Sequence, residues 1–176
     1  KGHYTLVTLL VLPKYGVDIN LGWALKNSKT TPLYIACEKG HTNIVRLLLN
    51  NTVADCNQAR CGDCGGATPL FIASQKGHTN IVRLLLELGS RGADANQVNS
   101  ARDDGVTALS IACQKGHIDT VRLLLEHGVD VNQVNPFNGT ALFVACHEGH
   151  AEIVHDILGI GGRHASRRGR CYHNRH

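Results

Sequence analysis

The sequence predicts an all-α solenoid of stacked antiparallel helix pairs, with protruding, partly extended turn or hairpin loops between them. Two observations carry that prediction. The block EKGHTNIVRLLLN at Glu38 recurs as QKGHTNIVRLLLE at Gln75, as QKGHIDTVRLLLE at Gln114, and more loosely as HEGHAEIVHDILG at His147. Each block follows a shorter motif, TPLYIAC, TPLFIAS, TALSIAC or TALFVAC, which starts at Thr31, Thr68, Thr107 and Thr140 with spacings of 37, 39 and 33 residues. Units of this length bear apolar faces that they cannot bury alone, and stacking neighbours is how such chains form a continuous core.

The array is expected to span residues 1–158, opening with a half repeat and turn at 1–27. Lys1-Gly2-His3 matches the start of a second helix whose first helix is missing, and the chain contains no methionine, so the sequence reads as a piece of a longer product. Four units follow, at about 28–64, 65–103, 104–136 and 137–158. In the first, Thr31 is a helix N-cap, Pro32 is tolerated at the first helical position, and Gly40 stops the helix. Leu33, Ala36, Cys37 and Gly40 fall at i, i+3, i+4 and i+7, a stripe of small residues that permits close packing. Leu70, Ala73, Ser74 and Gly77 repeat that stripe, as do Leu109, Ala112, Cys113 and Gly116, then Leu142, Ala145, Cys146 and Gly149. Cys37, Cys113 and Cys146 are therefore expected in the core. The second helix of the first unit is apolar at Ile44, Val45, Leu47, Leu48 and Leu49 and leaves Arg46 for water. In the last unit Ile153 to Leu158 fit the pattern poorly and Gly159, Gly161 and Gly162 soon follow, so fraying there, or further repeats cut away beyond it, is expected, with a flexible basic tail over 159–176.

The motif set T-P-L-x-x-A, then Gly-His, a hydrophobic helix and D-x-N resembles the ankyrin repeat. Gly-His recurs at Gly40-His41, Gly77-His78, Gly116-His117 and Gly149-His150, and the D-x-N turns start at Asp18, Asp55, Asp94 and Asp130. The family's usual histidine after T-P-L is replaced here by Tyr34, Phe71, Ser110 and Phe143, so any hydrogen bond made by that histidine does not carry over. The resemblance also implies that the recurring His41, His78, His117 and His150 are structural and tie the helix pair together.

Composition narrows the function classes. No apolar run approaches the roughly 18 residues that a membrane span needs. Seven cysteines, an odd number and mostly set in apolar runs, suit reduced thiols of the cytosol or nucleus better than a secreted disulfide framework. The net charge of +4 conceals an asymmetry: residues 159–176 hold five arginines and no acid, which leaves 13 Lys+Arg against 14 Asp+Glu before them. Only the tail offers a charge-driven contact with nucleic acid or an anionic surface. Arg46, Arg83 and Arg122 recur on the second helices, where acids such as Glu87 and Glu126 dilute them into a solvated face.

Sulfur clusters in DCNQARCGDCGGATPL, at Cys56, Cys61 and Cys64. Aligned on the D-x-N turns, Cys56 shares a column with Ile19, Ala95 and Val131 and is expected to pack. Cys61 and Cys64 remain as one C-x-x-C pair, short of the four ligands of a structural zinc site, so neither metal nor cofactor is expected. Three of the four turns share a three-residue extension. No P-loop, nucleotide-binding glycine motif, Ser–His–Asp order or paired-carboxylate arrangement is present, and no enzymatic activity is expected.

By resemblance, such arrays are non-catalytic scaffolds that grip a partner protein with the turn tips and the concave side of the first helices. The contacts implied on the turns are Trp23, Lys26, Asn27, Arg60, Asp63, Asn99, Arg102, Asp103 and Phe137, with Trp23 and Phe137 as aromatic anchors. On the helices they are Glu38, Lys39, Gln75, Lys76, Gln114, Lys115, His147 and Glu148. The chain is expected to be monomeric, with a protein partner, no small-molecule substrate and no membrane insertion. The alternatives are a targeting or regulatory arm of a larger protein and an anionic contact through the tail.

Overall fold

A computed structural model describes residues 16, 18–21, 23–25, 28–51, 54–59, 66–87, 92–98, 105–135 and 139–168. Each unit contributes a short first helix and a second helix packed against it. The first helices are α1 (Pro32–Glu38), α3 (Pro69–Lys76), α5 (Ala108–Lys115) and α7 (Ala141–His147). Their partners are α2 (Thr42–Asn51), α4 (Thr79–Glu87), α6 (Ile118–Glu126) and α8 (Ala151–Arg168). Ahead of α1, β1 (Trp23–Leu25) and β2 (Ser28–Thr30) pair antiparallel with Trp23 opposite Thr30, so the first turn is an extended hairpin.

Every first helix starts and stops by the same chemistry. The hydroxyls of Thr31, Thr68, Thr107 and Thr140 accept from the backbone N–H three residues on, at 3.1 to 3.3 Å. At the other end the chain turns through a left-handed glycine, for example Gly77 with φ +70°. There the His78 N–H donates to the Ala73 carbonyl (3.0 Å) and the Gly77 N–H to that of Ser74 (3.2 Å). This Schellman pairing, repeated at Gly40, Gly116 and Gly149, satisfies carbonyls that the helix leaves open and sends the chain straight into the second helix.

The core runs without a break along the array. Alanines 36, 73, 112 and 145 let the first helices approach closely, while Val45, Ile81, Val82, Leu85, Val121, Leu124 and Ile153 fill the space behind them. Which columns are exposed depends on the position of the unit. Ile35 is 42% exposed in α1, whereas Ile72, Ile111 and Val144 in the same column are buried, so that column faces the preceding unit. Phe143 is 59% exposed, whereas Tyr34, Phe71 and Ser110 in its column are buried, so that column faces the following unit.

The same logic corrects one core assignment. Cys37, Cys56 and Cys113 are buried as the sequence predicts, but Cys146 is exposed, because among the described residues no unit covers α7 as α5 covers Ser74. The final helix also departs from expectation. Ile153 and Ile157 are buried, and the helical backbone continues through Gly159, Gly161 and Gly162 to Arg168. Once the first turns of α8 are anchored on the core, each further residue adds a hydrogen bond without a new nucleation cost.

Ser74 occupies the cysteine column. It is completely enclosed, yet its hydroxyl has no hydrogen-bond partner among the described residues. An unsatisfied buried hydroxyl costs about 1 kcal/mol or more. Ser74→Cys should therefore stabilise the array by about 1 kcal/mol, seen as a melting midpoint raised by roughly 2–4 °C. An unchanged midpoint would mean that the hydroxyl is solvated.

Candidate partner-binding face

Adjacent units are joined by three rows of contacts that set the geometry of the exposed face. In the first, His78, His117 and His150 each sit on the glycine of the unit before. Nε2 of His78 lies 3.4 Å from the carbonyl oxygen of Glu38, and that of His117 lies 3.1 Å from Gln75. A carbonyl only accepts, so Nε2 carries the proton in both. A Cβ on Gly40, Gly77 or Gly116 would come within 2.7–2.8 Å of the ring of His78, His117 or His150. The histidines thus tie neighbouring units together, which corrects the expectation that they join the helices of one pair.

The second row runs through the turns. Asn20 Oδ1 accepts from the Asp55 N–H (2.9 Å), Asn57 from Asp94 (2.7 Å) and Asn96 from Asp130 (2.9 Å). Within each turn the aspartate in question accepts from the N–H two residues on, as Asp55 does from Asn57 at 2.9 Å. The D-x-N motif is therefore a ladder in which aspartate shapes its own turn and asparagine fixes the next one. The third row is carried by side chains of the second helices, where Thr79 Oγ1 and Thr120 Oγ1 lie 2.9 Å apart and Arg122 Nε donates to Asp156 at 2.8 Å.

On this frame the predicted helix contacts occupy equivalent places. Lys39, Lys76, Lys115 and Glu148 stand exposed at one slot per unit, just before the left-handed glycine. Glu38, Gln75 and Gln114 beside them are half-buried, and His147 in that column is exposed. His147 stacks on Phe143 with ring centroids 6.4 Å apart and lies 3.2 Å from a Glu148 carboxylate oxygen. The turn contacts are another matter. Lys26, Asn27, Arg60, Asp63, Asn99, Arg102, Asp103 and Phe137 lie outside the described residues, as do Cys61 and Cys64. Of Trp23 only the backbone is described, in β1, while Phe137 is bracketed by a bridge in which Asn135 and Gly139 exchange two 2.9 Å backbone hydrogen bonds.

A family model for ankyrin repeats matches residues 1–99 and 88–165. The chain belongs to the ankyrin repeat family. Comparison with curated proteins finds no match. Ankyrin repeats are in general protein–protein interaction modules and typically non-catalytic. Among the described residues no group of three or more His, Cys, Asp or Glu is placed to hold a metal ion, and no helix is long and apolar enough to cross a membrane.

The basic ridge on the second helices of this ankyrin array is partly neutralised. Arg122 pairs with Asp156 and, at 4.0 Å, with Glu152, both on α8. An open groove of ≈ 680 Å³ between α4 and α6 mixes Arg83 and Arg122 with Asp119 and Glu126, so it presents no single charge to a ligand. Sequence reasoning missed the asparagine ladder, although the recurrence of D-x-N in one column was its signal.

Thiol exposure is directly measurable. Burial pushes the Cys37 thiol well up, with the neighbouring Cys56 adding to the effect, and pushes that of Cys113 up to about 12. Brief alkylation of the native protein, read by peptide mass spectrometry, should modify Cys146 and spare Cys37, Cys56 and Cys113 until unfolding. Protection of Cys146 would show that something covers that end of the array.

Proposed function

We propose that the array is a non-catalytic intracellular scaffold that holds a partner protein across its first helices and turn tips. The observation that carries this reading is the contrast between frame and face. Buried small residues, the glycine–histidine seats and the asparagine ladder fix the spacing of the units, while one slot per unit projects an exposed charged side chain from that fixed frame. A backbone frame fixed before binding has little entropy left to lose, which favours recognition of another surface.

The first-helix slots are nearly uniform, Glu-Lys and then Gln-Lys twice, whereas the turns differ from one another. Specificity therefore rests on the turns, with Trp23 and Phe137 as anchors and Arg60 and Arg102 as polar contacts, supported by Asp63, Asn99 and Asp103. Replacing Trp23, Arg60, Arg102 and Phe137 together with alanine should abolish partner capture in a pull-down and leave the thermal transition in place. Capture that survives the four substitutions would refute the assignment of specificity to the turns.

A further inference from the structure

The uniform slot on the first helices carries information of its own. Lys39, Lys76 and Lys115 are exposed at equivalent positions in three consecutive units, and among the described residues none of them makes an ion pair. Arg122, by contrast, is held by two carboxylates. The backbone carrying Lys39 and Lys76 is pinned one residue away, where the carbonyls of Glu38 and Gln75 meet the next unit's histidines. A lysine in the last turn complements the helix dipole, but α7 places Glu148 in the same slot and forms its helix nonetheless. Dipole complementation therefore does not require this row.

Successive first helices pack on one another, and packed helices lie about 8–10 Å apart, so the three lysines recur along the face at about that step. A polyproline II segment turns once every three residues and advances about 9 Å per turn, which puts every third side chain on one face at the same step. We propose that the first-helix face binds an acidic polypeptide segment in the polyproline II conformation, with a carboxylate at every third residue meeting Lys39, Lys76 and Lys115 in turn. Seven residues of such a segment span the row. Glu148 closes it with the opposite charge and repels a fourth acid, which sets the register of the bound segment. The inference rests on the reading of the first-helix face as a partner-binding surface and names the chemistry of the partner.

The test is fluorescence anisotropy with the whole chain and three labelled probes. The first is a proline-rich peptide with glutamate at every third position, the second has the same composition with its glutamates contiguous, and the third is a single-stranded oligonucleotide of equal charge. The spaced peptide should bind, weaken as salt rises, and lose roughly tenfold in affinity with the Lys39→Gln, Lys76→Gln, Lys115→Gln triple variant. The matching triple arginine variant should retain it, and Arg46→Gln with Arg83→Gln should leave it unchanged. Equal binding of the contiguous peptide or the oligonucleotide overturns the proposal, as does an unaffected lysine-to-glutamine variant or a loss confined to the second-helix arginines. If the lysine row fails while turn-dependent partner capture persists, the scaffold reading stands and only the acidic-segment inference falls; if both fail, the scaffold reading falls with it.

Discussion

The structure depends on a histidine resting where the preceding unit has no side chain. At Gly40, Gly77 and Gly116 a glycine is required for two reasons that coincide in one atom. The left-handed turn that closes the helix strains any residue with a Cβ, and the space that Cβ would fill belongs to the imidazole of the next unit. The imidazole in turn meets a backbone carbonyl near the end of that helix, at Glu38 for His78 and at Gln75 for His117. Helix termination, chain reversal and unit stacking thus share one small feature. Its repetition explains why Gly-His is the most regular dipeptide in the sequence.

From this seat the rest of the architecture follows. With the ends of the first helices fixed on one another, alanine columns bring their axes close, and the turns are drawn near enough for asparagine to reach the next aspartate's backbone. The frame is consequently rigid along the lines where it is repetitive, and it varies where the turns differ. Among the described helix pairs, the first exposes Ile35 and the last exposes Phe143 and Cys146, residues whose columns are buried in the other units.

Much of the fold was legible in the sequence because a repeat is its own alignment. Threonine caps, the αL glycines and the apolar stripe of the first helices fall where their columns put them, and so does the packing of Cys56. The features that escaped are those that a column does not encode. Burial of a column depends on what stands next to it, so Cys146 differs from Cys37 and Cys113 although the three local sequences agree. The direction of a hydrogen bond is likewise invisible in a recurring letter, and the histidines join units rather than the helices of one pair. The length of α8 escaped because its glycines suggest a stop that continuous helical propagation overrides. Of the candidate site, the helix residues have places on the first helices, and the turn residues lie outside the described ones, apart from the backbone of Trp23.

The histidine–glycine seat is tested by comparing the stability of Gly77→Ala with that of Gly149→Ala. Both glycines have a left-handed φ, +70° and +77°, so both substitutions carry about 1 kcal/mol of backbone strain. At Gly77 the new Cβ would lie 2.7 Å from His117 Nδ1, whereas at Gly149 none of the described residues lies within 4 Å. Displacing a packed ring adds roughly 1–3 kcal/mol, so Gly77→Ala should be the more destabilising of the two by at least about 1 kcal/mol. Equal losses at the two positions would mean that the glycine serves the turn alone, and would contradict the interlock on which the stacking is argued to depend.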